Sequence, residues 1–209
     1  MNRIASILSL VAATTVVFIF MAGTAISQGV EERNVSAGKS NNYGNGDELA
    51  DLLDRQRALE TSAIEAFERR DFEEAEEQII ESLSLSRKLA SHSKAIEVKR
   101  GHTEHVTSVI LGLIELEKGG TAKAAEYLLT AGRISVPSPV LMTFGPDMLL
   151  AKRLLEKGER ETVLKYLEDC AVFWQEENGR LAAWKQTIEE GGIPDFKYNL
   201  ISVIKPEQN

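Results

Sequence analysis

Residues 63–83 read AIEAFERRDFEEAEEQIIESL, and the same arrangement returns at residues 112–132 (GLIELEKGGTAKAAEYLLTAG) and 151–171 (AKRLLEKGERETVLKYLEDCA). The three segments align without gaps. Each begins with a small residue, has a turn seven residues later and then places apolar or small residues at intervals of five, four and three. The aligned residues are Ala63, Gly112 and Ala151, then Arg70, Gly119 and Gly158, then Ala75, Ala124 and Val163, then Ile79, Leu128 and Leu167, then Ser82, Ala131 and Cys170. Intervals of three and four mark one face of a helix, so the segments predict three helical hairpins.

This repeat resembles the tetratricopeptide repeat, a pair of antiparallel helices that buries its apolar face against neighbouring pairs. The units begin 49 and then 39 residues apart (63 to 112 to 151), against about 34 in the regular repeat. The array is therefore irregular, with extended helices or loops between its units. The resemblance implies an all-α superhelical domain. We assign this domain to residues 48–196, with a C-terminal tail at 197–209.

The boundaries of these helices carry recognisable signals. Lys118-Gly119 and Lys157-Gly158 each place a basic residue and then glycine at a helix end, where a cation favours the helix dipole and glycine takes the left-handed cap. Asp71 is predicted to cap the helix that follows it. Pro146 is predicted to occupy the first position of another helix.

The first 27 residues resemble an export signal. Arg3 precedes an apolar run from residue 4 to residue 21, and Ala25-Ile26-Ser27 forms a small-x-small cleavage site. The run approaches the roughly 20 residues that span a bilayer, so an uncleaved membrane anchor is the alternative. Both alternatives place the body outside the cytoplasm, either periplasmic or anchored in the cytoplasmic membrane. Residues 28–47 are rich in Asn, Gly and Ser and are predicted to form a flexible linker.

Composition excludes several classes of partner. The chain has 209 residues, a net charge of -8 and one cysteine, Cys170. An acidic chain is a poor ligand for nucleic acid or anionic lipid, because both are bound through Lys and Arg. Contact with a membrane is therefore expected only through the N-terminal segment, if that segment is not cleaved. A single cysteine cannot form a disulfide within the chain, so stability must come from helix packing.

A second resemblance covers residues 101–200. The run SPVLMTFGPDMLLAKRLLEKGERETVLKYLEDCAVFW, followed by Trp184 and by Ile193-Pro194-Asp195-Phe196, is similar to a group of exported bacterial hypothetical proteins with the pattern SFGPNM-LAKELLEKGE and a final IPDF. The chain departs from that pattern at Met142-Thr143 and at Asp147. The resemblance implies a shared fold and no particular activity.

The residues 102–105, His-Thr-Glu-His, form the most metal-like cluster. Two histidines three positions apart share a helical face, and Glu104 offers an oxygen ligand. A zinc site needs three or four converging protein ligands, and neither a cysteine pair nor a well-placed third histidine completes this one. A surface helix is the favoured interpretation. No metal or other cofactor is expected.

No catalytic motif is present in the sequence. There is no Gly-x-Ser-x-Gly elbow, phosphate-binding glycine loop or His-Glu-x-x-His sequence. Cys170 occupies the last small position of the third repeat, so it is interpreted as a compact core residue. The chain is predicted not to be an enzyme.

Two further features have both a structural and a functional interpretation. Trp174 and Trp184 flank a turn at Asn178-Gly179, and we favour a role in locking the last helices together over a role as binding anchors. Residues 135–147, SVPSPVLMTFGPD, hold three of the five prolines and the exposed-looking Met142 and Phe144. This loop is either functional or a rigid connector.

The leading hypothesis is an exported scaffold or adaptor that binds a protein or peptide partner in the cell envelope. By analogy with tetratricopeptide arrays, the first helix of each hairpin would line a groove, although some of its apolar residues must instead form the interhelical core. The residues nominated for this groove are Ile64, Phe67, Val109, Leu113, Leu116, Met148, Lys152 and Leu155. Two alternatives stay open: an enzyme of unfamiliar type with a metal site near His102 and His105, and a self-associating structural protein of the envelope.

Overall fold

The computed structural model describes residues 44–175 and 177–200, which belong to one compact unit. These residues form helices, turns and loops with no strand, so the predicted all-helical fold is confirmed. The described elements are α1 (Gly44–Glu68), α2 (Phe72–Ala90), α3 (Lys94–Glu117), α4 (Thr121–Gly132), α5 (Pro139–Phe144), α6 (Leu149–Glu156), α7 (Arg160–Ala171), α8 (Arg180–Glu189) and the 3-10 helix η1 (Lys197–Leu200). Helix α1 thus begins four residues earlier than predicted.

The three aligned segments form α1–α2, α3–α4 and α6–α7, and these hairpins share one turn. Arg70, Gly119 and Gly158 have φ values of 63°, 85° and 90°, the left-handed conformation of a helix C-cap. In each turn the next amide donates to the carbonyl five residues earlier, at 2.9, 2.7 and 3.0 Å. The aligned small and apolar positions are buried in all three hairpins. The segments therefore occupy equivalent places.

The first helices of the first two hairpins, α1 and α3, lie side by side and run in the same direction. Gln56 Nε2 donates to Thr103 Oγ1 at 3.1 Å near one end, and Arg70 pairs with Glu117 at 2.9 Å near the other. Both pairs are 47 residues apart in sequence, so the helices keep one register along this length. Such a parallel pair of first helices is what stacked helical hairpins produce.

Small residues allow the third hairpin to approach the second closely. A Cβ on Gly112 would lie 2.3 Å from Leu150 Cδ2, and a Cβ on Gly132 would lie 2.9 Å from the Tyr166 ring. Gly112 is the small first residue of the second repeat. Its function is to let α3 and α6 meet, as the alignment predicted.

The two tryptophans lie inside the C-terminal part of the core. The ring centroids of Trp174 and Trp184 are 5.6 Å apart, and Phe196 packs edge-on to Trp184 at 5.0 Å. All three are buried. This cluster fastens α8 and the segment after it to α7, as the structural interpretation predicted.

Two details of the predicted elements are corrected. Pro146 does not begin a helix, because α6 begins at Leu149 after the residues around Asp147 have formed a tight loop. The stretch 135–147 is not irregular throughout, since Ser138 caps the short helix α5 with Pro139 at its first position. Among the described helices none is both long and apolar enough to cross a bilayer. The predicted export segment, residues 1–27, and most of the predicted linker lie outside the described residues.

Candidate functional site

A groove lies between the middle of α1 and the N-terminal half of α3, and α5 lies at its border. Its volume is about 640 Å³, within the usual range for ligand pockets. Most of its surface is apolar, with charged side chains around it. The lining residues are Leu53, Gln56, Arg57, Glu60, Lys94, Val98, Lys99, His102, Thr103, Ser138, Pro139 and Val140.

Helix α5 is held against α3 at a glycine. A Cβ on Gly101 would come within 1.9 Å of the Val136 carbonyl oxygen, so the segment before α5 crosses α3 where α3 lacks a side chain. Ser138 Oγ accepts the amide of Leu141 at 3.3 Å and begins the helix. Leu141 is buried, whereas Val140 keeps 47% of its surface exposed. The packing of α5 therefore leaves Val140 accessible in the groove wall.

A second cavity of about 460 Å³ lies on the other side of Val140 and His102, which line both spaces. Its wall includes the loop Phe144–Asp147, which we call the FGPD loop, together with residues of α3, α8 and η1. Phe144 is 71% exposed and Tyr198 is 80% exposed at this cavity, although large aromatic side chains are usually buried. The exposure predicted for Phe144 is thus observed.

Buried side chains hold the FGPD loop from one side. His105 Nδ1 donates to the carbonyl of Ala131 at 3.0 Å, and its Nε2 accepts the amide of Asp147 at 3.0 Å. Tyr166 donates its hydroxyl to the Asp147 carbonyl at 3.2 Å. Burial lowers the pKa of His105 to about 4, so the ring is neutral at physiological pH and ties α3 to α4 and to the loop.

Asn199 of η1 holds the same loop from the other side. Its side-chain Nδ2 donates to the backbone carbonyls of Phe144 and Pro146, both at 3.0 Å. Its backbone carbonyl accepts the backbone N–H of Met148 at 2.7 Å. Asn199 is 6% exposed. The loop is therefore held by residues from three elements, α3, α7 and η1, which fixes the wall of the second cavity.

Asp147 is the one carboxylate at this loop. Its Oδ1 accepts the backbone amide of Leu149, the first residue of α6, at 2.8 Å. Burial raises the pKa of Asp147 to about 6, and the hydrogen bond to Leu149 opposes that rise. A group that changes charge near neutral pH thus lies beside the neutral His105.

The proposed metal ligands do not converge. Both ring nitrogens of His105 are occupied by backbone groups, so neither presents a lone pair to an ion. Glu104 pairs with Arg100 at 2.7 Å, and His102 is exposed at the border of the two cavities. Across residues 44–175 and 177–200, no three His, Cys, Asp or Glu side chains are grouped to hold a metal.

Cys170 lies in the core beside Tyr166. It is fully buried, and burial raises the pKa of its thiol far above the ordinary value. A thiol in this setting stays protonated. The geometry agrees with the interpretation of Cys170 as a packing residue.

The structure divides the eight residues nominated for a groove into two groups. Val109, Leu113, Met148 and Leu155 are buried in the core, so their side chains are not accessible to a partner. Ile64, Phe67 and Leu116 are half-buried against that core, and Lys152 is half-exposed. The accessible groove lies further along the same helices, since Leu53 and Val98 each precede a nominated residue by eleven positions, three helical turns.

Five of the nominated residues lie on α1 and α3, the helices that line the groove, but on other turns of them, and the three at or within α6 lie away from the groove. The apolar period runs unbroken through α1 and α3, so periodicity alone cannot distinguish turns covered by neighbouring helices from turns left open. The open part of the groove is bordered by α5, and the prolines of residues 135–147 gave no indication that this stretch contains a helix. No sequence pattern indicated that Val140 lines a groove or that Asn199 holds a loop.

Comparison of the chain with family models, with curated proteins and with solved structures gave no match.

Proposed function

We propose that this chain is an exported tetratricopeptide-like binding module that receives a peptide segment of a partner protein in the groove between α1 and α3. Residues 1–27 would serve for export, as signal or anchor, and the helical body would act as scaffold or adaptor in the cell envelope. The observation that carries the proposal is the groove itself. It is about 640 Å³ in volume, mostly apolar, and formed by parallel first helices of successive hairpins.

Three features of the groove suit a peptide. Leu53, Val98 and Val140 offer an apolar floor and wall for one anchoring side chain, and anchors of this kind supply most of the affinity in peptide recognition. Gln56 and Thr103 join the two helices across the groove by a direct hydrogen bond at 3.1 Å, which fixes its width. A groove that is formed before binding requires little ordering of the protein when a ligand enters.

The shared turn and register support the tetratricopeptide-like assignment. All three hairpins place a left-handed residue at the turn and small residues where helices meet, and α1 and α3 stay parallel. Helix α2 has 19 residues and α3 has 24, and together they exceed the about 34 residues of a regular repeat, which accounts for the wide spacing of the first two units. Fold analogy alone is a weak basis for function, so the test addresses the groove.

The test compares a valine and an isoleucine of nearly equal exposure. Val140 in the groove wall is 47% exposed and Ile80 on α2, outside the groove lining, is 48% exposed. Peptides are selected on the immobilised body of the protein (residues 44–209) from a random display library, and the strongest are measured by fluorescence polarisation. We expect Val140→Asp to weaken binding at least about tenfold, the effect of burying an unpaired charge in an apolar contact, while Ile80→Asp binds as the wild type does.

Equal binding by wild type and Val140→Asp would place the ligand elsewhere on the protein. Failure to enrich any peptide would contradict the proposal as a whole. Circular dichroism of both variants checks that each keeps its helical fold.

A further inference from the structure

The side chains that line the groove carry a net positive charge, whereas the whole chain carries a net negative one. The chain carries -8. The groove lining holds Arg57, Lys94 and Lys99 against one carboxylate, Glu60, a local balance of +3 - 1 = +2. Asp54 and Glu97, the ion-pair partners of Arg57 and Lys94, are not part of this lining, so the lining itself favours acidic ligands over basic ones.

The cations at the groove are available to a ligand. Within the part of the chain that the structure describes, no carboxylate lies within ion-pair distance of Lys99. Lys94 pairs with Glu97 at 3.0 Å and Arg57 pairs with Asp54, each on its own helix and exposed to solvent. Exposed pairs of this kind contribute little to stability, so both side chains can turn toward a stronger partner.

The single acidic residue of the lining is already engaged. Glu60 Oε1 accepts hydrogen bonds from the side-chain Nε2 of Gln56 at 3.1 Å and from the hydroxyl of Ser82 at 3.3 Å. Ser82 is a buried residue of α2. Its carboxylate is thus drawn toward the contact between α1 and α2. The free cation Lys99 lies on the opposite wall, on α3.

From this arrangement we infer that the groove recognises an acidic peptide, in which an apolar residue is flanked by Asp or Glu. The inference rests on the proposed function and names the class of its ligand. The apolar side chain contacts Leu53, Val98 and Val140, and the neighbouring carboxylates pair with Lys99 and then with Lys94 or Arg57. A charge-assisted pair at the edge of an apolar contact orients the peptide and excludes basic sequences.

The experiment uses the peptides selected from the random display library. Enrichment of Asp and Glu next to an apolar residue, compared with the unselected library, is the expected result. The best peptide is then measured against Lys99→Glu and, as matched control, Lys88→Glu, an exposed lysine of α2 that does not line the groove. We expect Lys99→Glu to weaken binding about tenfold, equivalent to about 1.4 kcal/mol, and Lys88→Glu to change it less than about twofold.

Salt provides a second readout. Raising NaCl from roughly 0.05 to 0.5 M shortens the screening length and should weaken binding to the wild type several-fold, with a smaller change for Lys99→Glu. Selected peptides without acidic enrichment, or equal binding by wild type and Lys99→Glu, would overturn this inference and leave the peptide-binding function standing. A selection that enriches no peptide would overturn both.

Discussion

Gly145 lies so close to Trp174 that a Cβ added to it would come within 2.4 Å of indole atom Cε2. The glycine also has a φ of 87°, a conformation that other residues adopt at a cost. Trp174 in turn donates its Nε1 to the Thr143 carbonyl at 3.3 Å, and the Arg180 guanidinium stacks over its ring at 4.4 Å. One indole therefore sets the position of the FGPD loop.

Replacing Gly145 with alanine should destabilise the fold, because the methyl group meets a buried ring and the backbone is strained. We expect a loss of about 3 to 5 kcal/mol in the free energy of unfolding, measured by urea denaturation. Gly158→Ala is the control, since Gly158 has a φ of 90° but open space around its Cβ position. The control should lose only about 1 kcal/mol. Equal losses in both variants would show that contact with Trp174 contributes nothing.

Asn199 holds the other side of the loop, and its removal has a separate cost. Asn199→Ala leaves the carbonyls of Phe144 and Pro146 without their donor, and we expect a loss of about 2 to 4 kcal/mol in the free energy of unfolding. The neighbouring Tyr198→Ala removes a side chain that is 80% exposed and should change stability by less than about 0.5 kcal/mol. Comparable stability of the two variants would contradict the assigned role of Asn199.

His105 and Asp147 give opposite contributions to stability as pH changes. Since the pKa of His105 is about 4 when folded and 6.5 ordinarily, the unfolded chain binds the proton first, and stability is lost as pH falls from 6.5 to 4. Since the pKa of Asp147 is about 6 when folded and 3.8 ordinarily, the folded chain binds the proton first, and stability is gained as pH falls from 6 to 3.8. The two contributions largely cancel.

Asp147→Asn should remove the stability that Asp147 adds as pH falls and keep the loss of stability that His105 causes. The backbone N–H of residue 147 still donates to His105 Nε2, and the side-chain Oδ1 of the asparagine can still accept from the backbone N–H of Leu149. The variant should exceed the wild type in stability at pH 7 by on the order of 2 kcal/mol and lose that advantage near pH 4. Urea denaturation of both proteins at intervals from pH 4 to 7 measures the difference. A difference that does not vary with pH would show that Asp147 titrates normally.

Cys170 makes the native fold measurable by thiol chemistry. As the only cysteine of the chain, and buried with a raised pKa, it should fail to react with a disulfide reagent such as dithionitrobenzoate in the native state. In urea above the unfolding midpoint one thiol per chain should react. Rapid reaction under native conditions would mean that α7 opens locally or that the thiol is accessible.

Much of the helical body could be predicted from residue spacing. The hairpins followed from small residues at helix contacts and from Lys-Gly at helix ends, because both have direct steric or electrostatic causes. The first turn was recognisable only by alignment, since Arg70 adopts a left-handed φ of 63° that its residue type does not suggest. Its neighbours Phe67 and Phe72, which pack at 5.5 Å, accompany this turn.

The groove could not be predicted in the same way. Its open end depends on where α5 crosses α3, and that crossing depends on the missing side chain of Gly101 and on the cap at Ser138. Pro139 occupies the first position of α5, where proline is tolerated, although the proline-rich stretch was predicted to be a loop. The buried role of Asn199 depends on a contact with residues more than fifty positions away, which no local pattern reveals.

Among the described hairpins α1 belongs to the first, and most of the described side chains in its N-terminal half are exposed. Its backbone amides should therefore exchange with deuterium faster than those of α3, whose neighbours cover it on both sides. A ligand bound between α1 and α3 would contact both helices and reduce the local opening of α1. Slowed exchange around Leu53–Glu60 would then reveal occupancy even for a ligand too weak to isolate.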